Sequence, residues 1–186
     1  VIPEMGVSMP LDNRWNVGLA VVGNGGMNPT YQFNFFDINQ VQGLGKLGVD
    51  LNQLLVPLSV SFKVNEDQAV GVSLIGALQR FRAYGLDNFK LISKYPDYLT
   101  DRGFNYSSGG GVRLGWLGNF IDERLSPGAT WASKVYMTRF DKYKGLFAEA
   151  GDFDIPSTYG LGLSFKTTPD LTLAVDVTRI LYEGVA

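Results

Sequence analysis

Apolar and polar residues alternate along most of the chain with a period of two, and this pattern predicts β-strands. Seven segments show the alternation clearly, and a weaker one precedes them. In order they are 2–9 (the weak one), 14–22, 52–64, 69–81, 108–118, 125–137, 157–166 and 171–178. The sequence therefore predicts an all-β protein with eight strands.

The two faces of each predicted strand differ in character. In segment 52–64, Leu54, Val56 and Leu58 share one face, and small or polar residues such as Ser59 and Ser61 occupy the other. A soluble sandwich shows the same alternation, with its large side chains turned inward. The alternation alone does not distinguish a soluble sandwich from a membrane barrel.

The lengths of the connections separate these two folds. Short polar turns at 10–13, 65–68, 119–124 and 168–170 alternate strictly with long connections at 23–50, 83–106 and 139–156. Barrels of the outer membrane have short turns at one end and long loops at the other. Long loops are uncommon in compact soluble domains. We therefore expect a transmembrane antiparallel up-and-down β-barrel.

Aromatic residues near both ends of the predicted strands fit the two girdles of a membrane barrel. At the short-turn end they are Trp15, Phe62 and Phe165, and at the long-loop end they are Phe81, Tyr136, Tyr159 and Tyr182. The general preference of aromatic residues for strands is the alternative explanation.

Pro127 interrupts the apolar face of the predicted strand 125–137. Proline has no backbone N–H to donate to a ladder and is normally confined to edges or bulges. We expect a local bulge or one missing hydrogen bond at this residue, and no functional role.

Composition narrows the chemistry that this chain can perform. Its 186 residues include no cysteine and no histidine, and the net charge is −2. Disulfides, zinc–thiolate sites, His-ligated metals and Ser-His-Asp triads are therefore excluded, and the basic footprint of a nucleic-acid binder is missing. We expect no enzyme activity, no cofactor, no metal and no nucleic-acid partner.

Three groups of residues carry a resemblance to a known family. They are LDNRWNVGL at 11–19 with GNGGMNPTY at 23–31, FDKYKGLFA at 140–148 with GDFDIPSTYGLG at 151–162, and DVTRILY at 176–182. In order and spacing they resemble the FadL/TodX family, outer-membrane transport proteins of Gram-negative bacteria for long-chain fatty acids and other hydrophobic compounds.

The resemblance implies a monomeric 14-stranded, porin-like barrel that crosses the bacterial outer membrane many times and holds an N-terminal plug. Only eight strands are predicted here, and the family's Asn-Pro-Ala plug motif and terminal aromatic residue are absent. We therefore expect residues 1–186 to be a single barrel segment. It would cover about the second to ninth strands of the family, without the plug and the C-terminal strands.

The family mechanism that the resemblance implies is diffusion: apolar extracellular loops collect a hydrophobic ligand, which later leaves sideways where a strand kinks. Gly23, Gly25 and Gly26 follow the second predicted strand, where the family places its kink. Consecutive glycines permit unusual backbone angles and weaken a ladder. A glycine-rich start of a loop is the alternative interpretation.

The long connections are unusually apolar for segments expected at the surface, and exposed apolar patches mark binding surfaces. The ligand-contacting candidates are Met27, Tyr31, Phe33, Phe35 and Phe36, with Ile38 and Val41, in the first connection, and Phe89, Ile92, Tyr95 and Leu99 in the second. Phe89, Ile92 and Leu99 fit one face of a short helix limited by Pro96. Alternatively, the loops pack on one another as lids.

A carboxylate ligand requires a cation in the lumen. Arg113 and Lys134 have the parity of the small-residue face, so we expect both to point inward. Arg80 and Arg82 lie where the family has basic residues near the ligand, although their parity is that of the outward face. A basic residue that solvates the channel or pairs with an acid such as Asp176 is the alternative.

The leading hypothesis is thus passive transport of hydrophobic small molecules, either fatty acids or aromatic hydrocarbons, by a protein in contact with outer-membrane lipid. Three other functions are alternatives to this hypothesis. They are a non-transporting structural or adhesive barrel of eight strands, a soluble lipid-binding barrel, and an outer-membrane enzyme such as a phospholipase. The last is disfavoured because no histidine is present to activate a serine.

Overall fold

A computed structural model describes residues 4–37 and 45–185, and all of its strands belong to one antiparallel sheet. In chain order the strands are β1 (Glu4–Pro10), β2 (Trp15–Met27), β3 (Thr30–Tyr31), β4 (Leu47–Lys63), β5 (Gln68–Tyr84), β6 (Asn105–Gly118), β7 (Leu125–Ala132), β8 (Tyr136–Met137), β9 (Ser157–Thr168) and β10 (Leu171–Leu181). The eight predicted strands correspond to the eight long ones. Strands β3 and β8 are two-residue additions.

The eight long strands form an up-and-down meander, which confirms the predicted fold class. Their order in the sheet is β1-β2-β4-β5-β6-β7-β9-β10, while β3 pairs with β4 and β8 pairs with β6. Within the described residues, β1 and β10 are the two edges of the sheet.

The described helices are short 3-10 helices in the connections and after β10. They span Asp87–Ile92, Pro96–Tyr98, Asp141–Tyr143, Ala148–Ala150 and Tyr182–Gly184. Within residues 4–37 and 45–185, no helix is long and apolar enough to cross a membrane.

Side chains from the turns themselves close the short connections. Asp12 Oδ1 accepts hydrogen bonds from the backbone N–H groups of Arg14 and Trp15, both at 2.7 Å. Asn65 Oδ1 accepts one from Asp67 N at 3.0 Å in the β4–β5 turn. Such Asx turns satisfy backbone donors within a few residues, which is why short polar segments suffice at this end of the sheet.

Several strands extend further toward the long connections than the alternation predicted. β2 continues through the glycines to Met27, β4 begins at Leu47, and β5 ends at Tyr84. Ladder hydrogen bonds join backbone groups and do not require alternating side chains. Polar and glycine residues therefore pair in the sheet here.

The sheet register shows which face each side chain occupies. Leu58 lies opposite Leu74, and Val72 lies opposite Leu114; these apolar side chains are largely exposed on the outward face. Ile75, one residue along from Leu74, is buried on the inward face. The exposed apolar side chains thus point out of the curved sheet, while Ile75 belongs to the buried side chains on its inside.

The predicted strand 125–137 is broken, and the face changes at the break. Ala132 pairs with Arg113 and Tyr136 pairs with Gly110, so four residues along this segment oppose three along β6. A one-residue offset moves the following side chains to the opposite face. Val135 and Met137, predicted to lie on the large apolar face, are instead buried inside.

Of the two outcomes expected at Pro127, the bulge is wrong and the interrupted pairing is present. Pro127 pairs with Leu163 of β9 in a regular register. On its other side the β6–β7 ladder breaks after the pair Leu117–Gly128 and resumes at the bridge between Phe120 and Leu125. The residue without an N–H therefore lies at a gap in one of its two ladders, which is a position that tolerates proline.

The predicted row of aromatics at the long-loop end needs two corrections. Phe81 is only 2% exposed on the inward face, and Tyr182 lines an inner cavity. Tyr136 and Tyr159 are exposed on the outward face, and Tyr106 joins them there. At the short-turn end, Trp15 packs on Phe62 with 4.6 Å between ring centroids.

The core of the described residues lies inside the curved sheet, where the connection between β8 and β9 folds onto β4 and β5. Phe140 and Tyr143 are fully buried against Phe81. The Tyr143 hydroxyl donates to the backbone oxygen of Gly103 at 2.7 Å, which ties this connection to the preceding one. Gly109 permits β8 to approach, since a Cβ there would collide with the Tyr136 carbonyl oxygen.

Replacing Phe140 by alanine is expected to lower the free energy of unfolding by about 3–5 kcal/mol, because it leaves a cavity between Phe81 and Phe147. Urea unfolding in detergent micelles, followed by circular dichroism, measures this. Leu91→Ala, at a side chain that is 96% exposed, is the control and should change the value by less than about 0.5 kcal/mol. Equal effects of the two substitutions would contradict the inward packing of this connection.

Candidate ligand path

An aromatic cluster covers the first long connection at the open end of the sheet. Tyr31 and Phe35 lie 5.1 Å apart and Phe33 and Phe35 lie 4.5 Å apart, measured between ring centroids in edge-to-face arrangements. These side chains, Phe36 and Met27 are all exposed by two fifths or more. Five of the predicted ligand-contacting residues thus form an apolar surface. Ile38 and Val41 lie outside the described residues.

Hydrogen bonds from asparagines join the first long connection to the second. The buried Asn34 donates from Nδ2 to the Gly85 backbone oxygen at 2.6 Å and accepts from Phe36 N at 2.9 Å. Asn88 Nδ2 donates to the Phe36 backbone oxygen at 2.5 Å, and the Phe36 and Phe89 rings meet edge to face at 4.8 Å. The two connections therefore pack together, as the lid alternative supposed, while still exposing apolar side chains.

The shared helical face that was expected for Phe89, Ile92 and Leu99 is wrong. The first 3-10 helix ends at Ile92, and Leu99 follows a second short helix. Ile92 is largely exposed, whereas Leu99 is buried. Tyr95 lies between the helices, and the Lys144 ammonium lies 4.9 Å from its ring centroid. Phe89 and Ile92 thus remain at the surface, and Leu99 holds the connection in place.

Strand β2 is irregular at its glycines. Gly23 pairs with Leu54 and Gly25 pairs with Gln53, so Asn24 is an extra residue in the ladder. Its Nδ2 donates to Gln53 Oε1 at 3.1 Å. Among residues 4–37 and 45–185, the glycine segment beyond Val22 pairs with β4. The glycines therefore lie within a bulged strand rather than at the start of a loop.

Two cavities lie on opposite sides of this bulge. The outward one, about 620 Å³, is lined by side chains that include Leu54, Leu78 and Tyr106. The inward one, about 550 Å³, is lined by residues that include Leu51, Phe153, Ile155, Ile180 and Tyr182. Both cavities are also lined by Gly25, Gly26 and Gln53. The wall between them is therefore largely glycine backbone.

The two cations expected in the lumen differ in their surroundings. Arg113 is exposed on the inward face of β6, opposite Ser73, and makes no ion pair in the described part of the chain. Lys134 follows the end of β7. The alternation along the predicted strand 125–137, from which an inward position was expected for Lys134, no longer applies there. Its Nζ lies 2.7 Å from Asp154 Oδ2 and also donates to the Gly184 backbone oxygen.

Arg80 and Arg82 occupy the outward face, as their parity predicted. They lie opposite Asn52 and Asp50 of β4. Each guanidinium contacts the Asp50 carboxylate, at 3.4 Å from Arg80 and 3.5 Å from Arg82. Neither residue lies on the face that carries Arg113.

An acidic pair stands near Lys134. Asp154 is buried and accepts a hydrogen bond from Met137 N at 2.7 Å. Burial raises the pKa of Asp152, and the neighbouring Asp154 carboxylate acts in the same direction. Asp152 Oδ1 is buried without a hydrogen-bond partner among the described residues. In the described residues no cluster of three acidic side chains suited to a metal ion occurs.

Comparison with solved structures places this arrangement among known folds. The chain superimposes on the toluene transporter TbuX of Ralstonia pickettii with a TM-score of 0.73, 15% identity, and coverage of 97% of this chain and 54% of that one. For the toluene transporter TodX of Pseudomonas putida the values are 0.72, 16%, 98% and 55%. For a FadL homologue of Pseudomonas aeruginosa they are 0.62, 18%, 97% and 48%.

The chain has the TodX and FadL fold. The resemblance read from its motifs is confirmed at the level of the fold. The chain spans about half the length of these solved chains. No protein-family model and no curated protein matches the sequence.

The sequence analysis missed the segment that closes one side of the inner cavity. Phe153 and Ile155 line that cavity, and Gln79 Nε2 of β5 donates to the Phe153 backbone oxygen at 3.3 Å. The clustering of Phe140, Tyr143, Phe147 and Phe153 was a usable signal, because four aromatics within fourteen residues are unusual for a solvated loop.

Asp152→Asn is expected to stabilise the folded protein, because it removes a buried negative charge next to Asp154. The raised pKa of Asp152 means that its protonated form favours folding at low pH and that this contribution is lost as the pH rises. The gain in thermal midpoint should therefore be larger at pH 8 than at pH 4. Glu66→Gln in the exposed β4–β5 turn is the control, and the same pH dependence in it would refute the assignment.

Proposed function

We propose that this chain forms part of an outer-membrane channel for passive uptake of hydrophobic small molecules. Ligands are collected by the apolar connections, enter the inner cavity and leave sideways through the bulged strand β2. The observation that carries this proposal is the pair of cavities separated by Gly25 and Gly26. The fold shared with two toluene transporters and a FadL homologue supports it.

We propose a location in the outer membrane of a bacterium, which the outward face supports. On β5, Val70, Val72, Leu74 and Leu78 are all exposed by two fifths or more. The nine residues from Val70 to Leu78 match the 9–11 that a transmembrane strand needs. An exposed apolar band of this height is stable against lipid and costly in water. We propose a multi-pass protein that contacts lipid and is monomeric when full length.

The aromatic cluster supplies the collecting surface. Phe33, Phe35 and Phe36 present ring faces and edges to solvent, and such rings bind aliphatic and aromatic ligands alike. Met27 is exposed at the end of β2, where this surface meets the bulged strand. The inner cavity, lined by Phe153 and Ile155, continues the apolar path.

Arg113 is the inward cation best placed for a fatty acid. It has no carboxylate partner in the described residues, whereas Lys134 is already paired with Asp154. A guanidinium without a partner attracts a ligand carboxylate but offers nothing specific to a hydrocarbon. A fatty-acid ligand would therefore depend on Arg113, and toluene would not. No step requires catalysis or a cofactor.

A non-transporting structural barrel is the second candidate, because part of the interior is filled. Phe140 and Tyr143 occupy the inner side of β4 and β5 near the long connections. Small barrels whose interiors are filled by side chains do not conduct. Measurement of uptake separates the two functions.

Gly25→Leu is expected to abolish most uptake. A Cβ at Gly25 meets only Gln53 Oε1 at 3.8 Å, so the residue fits locally while its side chain fills the passage. The full-length gene product is expressed in a strain that lacks fatty-acid uptake, and uptake of labelled oleate and toluene is measured.

Gly18→Leu is the matched control, because Gly18 lies on the same strand and face, below the bulge, with a similar free space. Uptake should persist in this variant if ligands leave sideways. A loss of uptake in Gly18→Leu with normal uptake in Gly25→Leu would instead indicate passage straight through the lumen. Absence of uptake in the wild type would support the structural barrel.

Replacing Phe33 and Phe35 together by serine should lower the initial uptake rate at limiting ligand about fivefold or more, since each of the two aromatic contacts contributes about 0.5–1.5 kcal/mol. The rate at saturating ligand should change little, because the exit is unaltered. Leu11→Ser, at an exposed apolar residue in the β1–β2 turn, is the control. An equal fall in both variants would exclude a collecting role for the cluster.

A further inference from the structure

Two arginines on the outward face share a single carboxylate. Arg80 and Arg82 each contact Asp50 through one Nη2 atom. A guanidinium has five N–H donors, so most of their donor capacity is not used by this carboxylate. Their Nε atoms are buried without a hydrogen-bond partner in the described residues. The Nη atoms are therefore the donors of this preformed cationic pair that a ligand can reach, and the buried Nε atoms are not.

An aromatic ring holds the two guanidinium groups in position. The Phe104 ring centroid lies 4.4 Å from Arg80 Cζ and 4.3 Å from Arg82 Cζ. Stacking on a ring fixes the plane of a guanidinium and thereby the direction of its remaining donors. The Lys142 ammonium donates to the Phe104 backbone oxygen at 2.7 Å and fixes the residue that carries the ring.

A cavity of about 570 Å³ adjoins Arg82, whereas Arg80 lines the outward cavity beside the bulge of β2. The lining of the cavity at Arg82 also includes Thr30, Lys46, Tyr84 and Asp101. Asp101 Oδ2 already accepts hydrogen bonds from Gly85 N and Thr100 Oγ1. Lys46, Arg80 and Arg82 carry three positive charges, and Asp50 and Asp101 carry two negative charges. The net charge of these five residues is therefore +1. The hydroxyls of Thr30 and Tyr84 hydrogen-bond each other beside the cations.

The height of this group on the sheet matches a membrane interface. The exposed apolar residues of β5 run from Val70 to Leu78 and cover about 26 Å along the strand at about 3.3 Å per residue. Arg80, Arg82 and Tyr84 follow directly. Cationic and aromatic side chains next to an apolar band lie at the level of lipid headgroups.

We propose that Arg80, Arg82 and Lys46 bind the phosphate headgroup of an anionic lipid in the surrounding leaflet. Guanidinium groups bind phosphate through paired N–H donors, and lysine adds a point charge. The acyl chains of the same lipid lie along the exposed apolar side chains below. The inference rests on the membrane location proposed above but not on transport. The ligand proposed here is a membrane lipid. Because Arg80 also lines the outward cavity beside the bulge of β2, the test below leaves cargo out of the titration.

The test uses the full-length gene product in neutral maltoside micelles. Native mass spectrometry measures the bound fraction of diphosphoryl lipid A, of a diacylglycerol with no phosphate, and of inorganic phosphate. Lipid A is expected to bind most tightly. The variants Arg80→Gln and Arg82→Gln should each weaken its binding about tenfold, as expected for the loss of one charge-assisted hydrogen bond. Arg82→Lys should lie between wild type and Arg82→Gln.

Arg179→Gln is the matched control. Arg179 lies opposite Tyr159 on the outward face, near the same end of the sheet, and makes no ion pair in the described part of the chain. Its replacement removes one charge at a similar height and should change lipid A binding less than twofold. An equal loss in Arg179→Gln would reduce the effect to general charge attraction and overturn the site.

Two other outcomes also overturn the proposal. Equal binding of diacylglycerol would show that phosphate is not recognised, and equal binding of inorganic phosphate would show a free-anion site. Circular dichroism identifies any variant that loses its fold. If a glutamine variant does not fold, the comparison of wild type with Arg82→Lys decides whether the arginine binds the lipid. Because the titration contains no cargo and the uptake assay adds no lipid, failure of one proposal is distinguishable from failure of the other.

Discussion

The strict alternation of side chains across a hydrogen-bonded antiparallel ladder is the constraint on which this structure depends. Backbone groups of neighbouring long strands pair in regular ladders, so side chains must leave the sheet on one face or the other. A single extra residue exchanges the faces. Three such irregularities occur in the described residues, at Asn24, between Ala132 and Tyr136, and at Thr167. The irregularity at Asn24 lies where glycine backbone separates the two cavities. The irregularity between Ala132 and Tyr136 turns Val135 and Met137 into the core.

Packed side chains fill one part of the interior of the sheet, and a cavity occupies another part. Near β4 and β5, the connection that carries Phe140 and Tyr143 fills the inner side and makes the described core. Toward β2 and β10, the same connection supplies only Phe153 and Ile155, and a cavity of about 550 Å³ is left. One inward-folded segment therefore both stabilises the strands and shapes the space beside the glycines. The candidate ligand path is thus bordered by the same segment that packs the core.

The fold class was predictable because its signals are local. Alternation, turn chemistry and connection lengths are all read within about a dozen residues, and together they predicted the eight long strands and their order. The face of Val135 was not predictable in this way, because it depends on a one-residue offset between distant strands. The inward face of Phe81 follows from the parity of β5, so its assignment to the outer aromatic row went against the alternation of its own strand. Arg80 and Arg82 were placed correctly by parity, because β5 pairs with both of its neighbours without a break.

The positions of the tryptophans on the outward face also determine what their fluorescence can report. The chain has three tryptophans, and Trp15, Trp116 and Trp131 all share the outward face with their partners Phe62, Val70 and Tyr159. In a bilayer their indole rings meet acyl chains or headgroups, and none faces the inner cavity. The fluorescence of these three tryptophans thus reports the medium at the outward face and is insensitive to the inner cavity.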